Sequence, residues 1–321
     1  MSDKPVILVT RKLPDAVEAR LKSDYEARLN PDDALYSKDE LIERVQGAQG
    51  ILPCHTEKFN SDMIAQLPND VKIIANFSVG VDHCDLAAAK DKGIVVTNTP
   101  DVLSDATAEI AILLLLGAAR RAGEGETLVR TRTWKDWSPS FMVGVQVTGK
   151  RLGIVGMGRV GQMVARRAKC FGMEIHYHNR SRLAPDLEDG AIYHNNLEDM
   201  LPLCQFLSLN CPNTPETAGM LNAGVISQLP DGAVVINTAR GGVVDDDALI
   251  GALASGKLAA AGLDVFNNEP DIHTGYRDLK NTFLLPHIGS ATAETRDAMG
   301  FRALDNLDAY FAGREPGDRV A

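Results

Sequence analysis

Cysteine is scarce and scattered. The five in 321 residues (Cys54, Cys84, Cys170, Cys204 and Cys211) are odd in number and never form a C-x-x-C pair. That pattern excludes a disulfide framework and a cysteine zinc site, and points to reduced thiols in a cytoplasmic protein. A basic excess is also missing, since 33 Lys and Arg stand against 43 Asp and Glu, a net charge of −10. Such a chain lacks the positive footprint that nucleic acid and anionic membranes require. The expected partner is therefore a small molecule, not nucleic acid and not a membrane, and an anionic one needs a locally positive site. Long apolar runs are absent too. The greasiest, Ile110 to Ala119, is bounded by Glu109 and by Arg120 and Arg121; it is far short of the roughly 20 residues that span a bilayer and reads as a buried helix. The stretch Met1 to Pro14 has a short apolar segment between Pro5 and Arg11 but no small-residue cleavage site, so it does not read as a signal peptide. No low-complexity tract or short repeat occurs.

What remains is ordinary globular composition, 45% hydrophobic and 24% charged, in a length that suggests roughly two domains with cores needing no covalent staples. Short β-branched runs alternate with helical stretches. Val6 to Val9, Gly50 to Leu52, Val71 to Ala75 and Ile94 to Val96 form one series, with helices around Ala16–Leu21, Asp62–Leu67 and Asp85–Lys90. A second series runs through Leu152–Val155, Glu174–His178, Phe206–Leu209, Ala233–Ile236, Ala260–Leu263 and Phe283–Leu285. Strand–helix alternation predicts parallel sheets covered on both faces. The fold class is α/β: two Rossmann-like or flavodoxin-like βα lobes with parallel sheets and an active site in the interdomain cleft. The long helix from about Ser104 to Arg121 reads as a bridge between lobes, and the helical pattern Thr292 to Phe311 as a return to the first. The expected division is therefore a discontinuous substrate-binding domain, residues 1–100 plus 291–321, and a dinucleotide-binding domain, residues 101–290.

Gly156-Met157-Gly158-Arg159-Val160-Gly161 fits G-x-G-x-x-G. It follows an apolar strand and opens a helix, Val160 to Cys170, the context in which two glycines let the backbone approach a pyrophosphate and the third lets helix and strand pack. The next strand in NAD enzymes usually ends in Asp or Glu, which binds the ribose 2′-hydroxyl. Here Ile175 to His178 leads into Asn179-Arg180-Ser181-Arg182. Two guanidiniums and a hydroxyl suit a 2′-phosphate, so NADP(H) is expected over NAD(H).

Three further segments carry polar residues just after apolar strands: Asn237-Thr238-Ala239-Arg240-Gly241-Gly242, Asp264-Val265-Phe266 with Glu269-Pro270, and Pro286-His287-Ile288-Gly289-Ser290. Open α/β sheets bind ligands at the carboxyl ends of their strands, so Arg240, Glu269 and His287 are expected to converge. Their types suit hydride transfer to a 2-keto acid. The alkoxide formed needs a proton, which a histidine supplies near neutral pH; a carboxylate on its other nitrogen orients it, and a guanidinium holds the substrate carboxylate and polarises the ketone.

With these residues in place the sequence resembles the D-isomer-specific 2-hydroxyacid dehydrogenase family over essentially its full length. The matching stretches are Asn76 to His83, the glycine motif, Asn210 to Thr217 and the three segments above. Thr99 to Glu109 and the Trp134–Trp137-Ser-Pro stretch are most similar to the glyoxylate/hydroxypyruvate reductases. The resemblance implies that Arg240 binds substrate, that His287 is the acid/base and that Glu269 orients it. It also implies substrate contacts from the backbone of Val79 and Gly80, from Ser290, and from Trp137 reaching a neighbouring subunit's active site in a homodimer. It further implies that Thr107, Cys211, Pro212, Thr238, Ala239 and Asp264 line the cofactor, with Asp264 near the nicotinamide carboxamide; many members carry Asp after the second strand, where this chain departs with Asn179-Arg180. The expected cofactor-binding set also contains Gly156, Gly158, Arg159, Val160 and Gly161 of the glycine motif, Asn179, Arg180, Ser181 and Arg182 after the second strand, and Thr217, Arg240, His287 and Gly289. No metal is implied. The expected reaction is NADPH-dependent reduction of glyoxylate and hydroxypyruvate to glycolate and D-glycerate. The alternatives are a 2-ketogluconate reductase (gluconate 2-dehydrogenase) or another D-2-hydroxyacid dehydrogenase, and, outside enzymes, a dinucleotide-sensing corepressor that binds a protein.

Other residues are given structural readings. His176 and His178 share a strand face and, with His194, read as packing residues. Cys54 and His55 follow a first-lobe strand and are candidates for substrate specificity. Asp245, Asp246 and Asp247 read as the start of the helix Ala248 to Ala254, where carboxylates favour the helix dipole.

Overall fold

In the computed structural model, which describes residues 4–321, two wholly parallel sheets organise the chain. The first three residues of the Met1–Pro14 stretch lie outside the described residues. Contacts divide the chain into two compact units, one running to Leu103 and resuming at Ala291–Ala321, the other Ser104–Ser290.

The first unit contains β1 (Val6–Val9), β2 (Glu26–Arg28), β3 (Gly50–Leu52), β4 (Ile73–Ala75) and β5 (Val95–Thr97), in the spatial order β2-β1-β3-β4-β5. The apolar runs of β3 and β4 are fully buried, as strands covered on both faces must be. One layer packs Leu13, together with Val17 and Leu21 of the helix Asp15–Asp24, against Met299, Ala303, Leu304 and Leu307 of the C-terminal helix Ala293–Phe311. The C-terminal helix thus belongs to the first sheet. The opposite layer gathers Leu41, Phe59, Met63 and Ile64.

The second unit contains β6 (Arg151–Val155), β7 (Glu174–His178), β8 (Ile192–His194), β9 (Phe206–Leu209), β10 (Ala233–Asn237), β11 (Leu258–Leu263) and β12 (Thr282–Leu284), ordered β12-β11-β10-β9-β6-β7-β8. The order reverses direction at β6, and the crevice outside the strand ends at such a switch is where doubly wound sheets bind ligands. The apolar helix Ser104–Ala119 lies against this sheet, with Ala108, Ala111, Leu114, Leu115 and Ala118 buried in the same layer as Ile154, Val234 and Ile236. Among the described residues no helix is long and apolar enough to cross a membrane.

Several short elements were not read from the sequence, two strands and two helices among them. β2 is the three-residue segment Glu-Ala-Arg, and β8 is equally short. Both are edge strands, which need no two-sided apolar pattern. The helix Lys38–Arg44 is set by a capping box between Ser37 and Glu40, and the helix Ala122–Arg130 has no buried residue, so neither carries the apolar face that a periodicity search detects.

Candidate active site

The glycine turn sits between β6 and the helix Arg159–Cys170. Gly156 has φ +94°, and a Cβ there would lie 2.6 Å from the Cys211 nitrogen. A Cβ on Gly161 would lie 2.3 Å from the Gly156 carbonyl oxygen. Both positions are closed to any side chain by backbone that cannot yield. At Gly158, by contrast, nothing lies within 4 Å of a Cβ. This glycine is not demanded by the protein's own packing, and the open space is where a ligand backbone can approach. Gly158 caps the helix without a side-chain acceptor, and no acidic residue occupies the first turn, so amide donors and positive dipole are left for a phosphate. The turn therefore fits a dinucleotide. Asn179 closes it from the end of β7, its Oδ1 accepting the Met157 N–H at 2.6 Å.

The segment after Asn179 departs from the expectation that both guanidiniums are offered to a ligand. Arg180 is exposed. Arg182 is committed elsewhere: its Nε donates to Glu188 Oε1 at 2.7 Å and its Nη2 to Oε2 at 3.0 Å. Glu188 also accepts the Tyr177 hydroxyl at 2.6 Å, and Arg182 and Tyr177 hold its carboxyl down to about 2. The Tyr177 oxygen in turn accepts the Leu183 N–H. Arg182 thus braces the loop, and the counter-ion six residues on was not visible as one in the sequence.

Thr217 and Cys211 belong to a loop facing the glycine turn. Thr217 Oγ1 donates to the Pro212 carbonyl at 2.6 Å and accepts the Thr214 N–H, while Thr238 Oγ1 reaches Asn210 Oδ1 at 3.4 Å. Burial pushes the Cys211 thiol up to about 11, so it behaves as a small apolar wall. The glycine motif, Cys211, Pro212, Thr217 and Thr238 are brought together at the carboxyl ends of β6, β9 and β10.

His287 and Glu269 stand farther along the same sheet. His287 Nδ1 lies 2.6 Å from Glu269 Oε2, and the two side chains are 29% and 26% exposed. Glu269 Oε1 accepts the Phe266 N–H at 2.7 Å, which fixes the plane of the carboxylate. His287 has φ +53°, a left-handed conformation that costs a non-glycine residue on the order of 1–3 kcal/mol and persists only where its surroundings enforce it. Asp264 provides the enforcement. Its backbone carbonyl accepts the His287 N–H at 2.9 Å, and its carboxylate accepts the N–H of Ile288 at 2.8 Å and of Gly289 at 2.7 Å. Asp264 is 1% exposed, and burial raises its carboxyl against the pull of the Ile288 amide. Thr107 lies beside Gly289.

Arg240 follows β10. Asn237, fully buried at the strand end, accepts the Ala239 N–H at 2.9 Å and donates to the Arg240 carbonyl at 3.0 Å. Arg240 Nη1 donates to the Ala239 carbonyl at 2.8 Å. The turn is pressed against the Glu269 loop, since a Cβ on Gly241 would lie 1.9 Å from the Phe266 carbonyl carbon. Sequence reasoning named Arg240, Glu269 and His287 but missed Asn237. Its signal was a lone amide ending an apolar strand, where an unsatisfied buried polar group is costly.

The chain as a whole matches known proteins. The sequence model for the NAD binding domain of D-isomer specific 2-hydroxyacid dehydrogenases matches residues 112–289. A glycerate dehydrogenase of Hyphomicrobium methylovorum is 46% identical over 97% of this chain and 98% of its own. The chain belongs to the D-isomer specific 2-hydroxyacid dehydrogenases. A glyoxylate reductase of Thermococcus litoralis is 40% identical over 99% of this chain and 97% of its own. Among solved structures, an NADPH-dependent glyoxylate/hydroxypyruvate reductase from Sinorhizobium meliloti, in complex with NADP and malonate, is 35% identical with a TM-score of 0.87 over 99% of this chain and 97% of that one. In the terms of this dehydrogenase family, the protein is an oxidoreductase on a Rossmann-like fold.

The remaining residues are placed as follows. Val79 and Gly80 follow β4 in the first unit; the Val79 carbonyl accepts the Asn98 amide and the Gly80 carbonyl accepts the Ser78 hydroxyl. Ser290 ends the second unit. His55 is exposed, and burial pushes the Cys54 thiol up to about 12. His176, buried on β7, lies between Glu174 and His194, at 2.7 and 2.8 Å. Asp245 caps its helix through the Ala248 N–H.

Proposed function

We propose that this dehydrogenase reduces small 2-keto acids, glyoxylate and hydroxypyruvate first among them, to their 2-hydroxy acids with NADPH. The observation that carries the proposal is the 2.6 Å contact between His287 Nδ1 and Glu269 Oε2, on the sheet that also bears the glycine turn. An ionised carboxylate only accepts hydrogen bonds, so Nδ1 carries a proton and Nε2 is the position that gains and loses one. A reduced nicotinamide dinucleotide held through its pyrophosphate at the glycine turn would supply the hydride. His287 Nε2 gives its proton to the oxygen that becomes the alcohol. Glu269 steadies the imidazolium, and Arg240 pairs with the substrate carboxylate and draws charge toward the ketone oxygen. The names of the relatives support small 2-keto acids.

NADPH is favoured over NADH because Arg180 and Ser181 follow β7 where a carboxylate would repel a 2′-phosphate. The working unit is a homodimer. Val129, Trp134, Trp137, Phe141 and Val143 are exposed on and after a helix that buries nothing, a patch that asks for cover. Sedimentation is expected to give twice the monomer mass, and a monomer at micromolar concentration would remove this part. Five free cysteines agree with a cytoplasmic address.

Initial rates of NADPH and NADH oxidation with glyoxylate, hydroxypyruvate, pyruvate and 2-ketogluconate test the proposal. The highest kcat/KM is expected for glyoxylate or hydroxypyruvate with NADPH. Preference for 2-ketogluconate, or no turnover of any of the four, would overturn it.

A further inference from the structure

We propose that Asp246 is a positioning residue for the acid–base pair, holding the Glu269 loop through Asn267 and Tyr276. The inference rests on reading His287 and Glu269 as that pair. Asp246 opens the helix Asp246–Ser255, and its two oxygens point away from the helix's own amides. Oδ2 accepts the Asn267 side-chain amide at 2.9 Å, and Oδ1 accepts the Tyr276 hydroxyl at 2.7 Å. Asn267 also donates to the Val244 carbonyl at 3.3 Å, and Tyr276 is 1% exposed. One carboxylate therefore joins the start of a helix to both sides of the loop that carries Glu269.

The consequence reaches the reacting groups through short backbone links. Asn267 is two residues before Glu269, and its neighbour Phe266 supplies the amide that fixes Glu269 Oε1. The same backbone lies against Gly241, next to Arg240, with no room for a Cβ. A loop freed at Asn267 would loosen the Phe266 amide, the Glu269 carboxylate and the packing of the Arg240 turn together. The helix-dipole reading of Asp245-Asp246-Asp247 accounts for Asp245, whose side chain caps the helix, and leaves Asp246 unexplained. The charged groups around the clamp are Asp245 and Asp247 on the same helix, His273 at 3.4 Å from Asp247, and Asp264 beside His287.

The test compares Asp246→Asn, Asn267→Ala and Tyr276→Phe with Glu269→Gln and the unaltered enzyme. Asp246→Asn leaves one uncharged acceptor oxygen where two charged ones served the Asn267 amide and the Tyr276 hydroxyl, and Asn267→Ala removes the link while leaving the Tyr276 bond intact should the first variant fold poorly. For both, kcat for ketone reduction is expected to fall roughly 10- to 100-fold, the loss that an ångström-scale displacement of a catalytic group produces. Tyr276→Phe removes one of the two anchors and is expected to fall between these and the unaltered enzyme. NADPH dissociation constants, read by fluorescence, should stay within about threefold. The alkaline limb of the kcat profile should move to lower pH, because a carboxylate held less well supports the imidazolium less. Full kcat per folded molecule and an unmoved limb in both Asp246→Asn and Asn267→Ala, with Glu269→Gln impaired, would overturn the role of Asp246. If Glu269→Gln itself leaves kcat and the limb unchanged, the acid–base reading fails instead.

Discussion

Replacing His287 with alanine is expected to lower kcat for 2-keto acid reduction by about 10²- to 10⁴-fold, the usual contribution of a positioned general acid. NADPH binding should change little by comparison, because the glycine turn that takes the pyrophosphate does not depend on the imidazole. Two effects could be confused in this variant. The alanine loses the proton donor, but it must also adopt a left-handed backbone at φ +53°. His287→Asn separates them, since asparagine tolerates that conformation and has no proton to give at neutral pH. It should hold the loop, and keep the three hydrogen bonds to Asp264, while losing as much kcat as alanine does. The unaltered enzyme should lose reductive activity as pH rises, because the reaction draws a proton from the imidazole. Glu269→Gln should move that loss to lower pH. Steady-state rates across pH for the three variants check this, and an alanine variant with unreduced kcat would remove His287 from the chemistry.

Arg180→Asp is expected to weaken NADPH binding by about 10- to 100-fold and NADH binding by less than about threefold. A hydrogen bond to a charged group contributes about 1.5–3 kcal/mol, which is that range in a dissociation constant, and the new carboxylate adds repulsion toward a 2′-phosphate. Arg182→Ala should behave differently. Its guanidinium is spent on Glu188, so its removal should weaken both coenzymes to a similar, smaller extent by loosening the loop. Titrations of intrinsic fluorescence give both constants. Equal loss of NADPH and NADH in Arg180→Asp would contradict the assignment of a 2′-phosphate to this residue.

How much of this could be read beforehand depended on the range of the interaction. Buried parallel strands announce themselves as apolar runs, and β3, β4, β9 and β10 did so. The three-residue edge strands β2 and β8, half wet and partly polar, had no such signal. The residues proposed to react were singled out for a related reason: Arg240, Glu269 and His287 each follow an apolar run, and the ends of parallel strands are where a sheet presents side chains to a ligand. Their supports were not legible. Asp264 holds Ile288 and Gly289 across 24 and 25 residues, and Asp246 holds Asn267 across 21; no local pattern reports a carboxylate's partner at that distance. Arg182 shows the opposite hazard. Its type suggested phosphate binding, and only the fold brought Glu188 to it.

The most direct measurement follows the transferred hydrogen itself. NADPH carrying deuterium at C4 of the nicotinamide, with each of the two stereoisomers used in turn, is mixed with enzyme and glyoxylate, and the product is analysed by mass spectrometry. One isomer is expected to place a single, non-exchangeable deuterium on C2 of the hydroxy acid. Product without label from both isomers, or no product at all, would contradict hydride transfer to the carbonyl carbon C2.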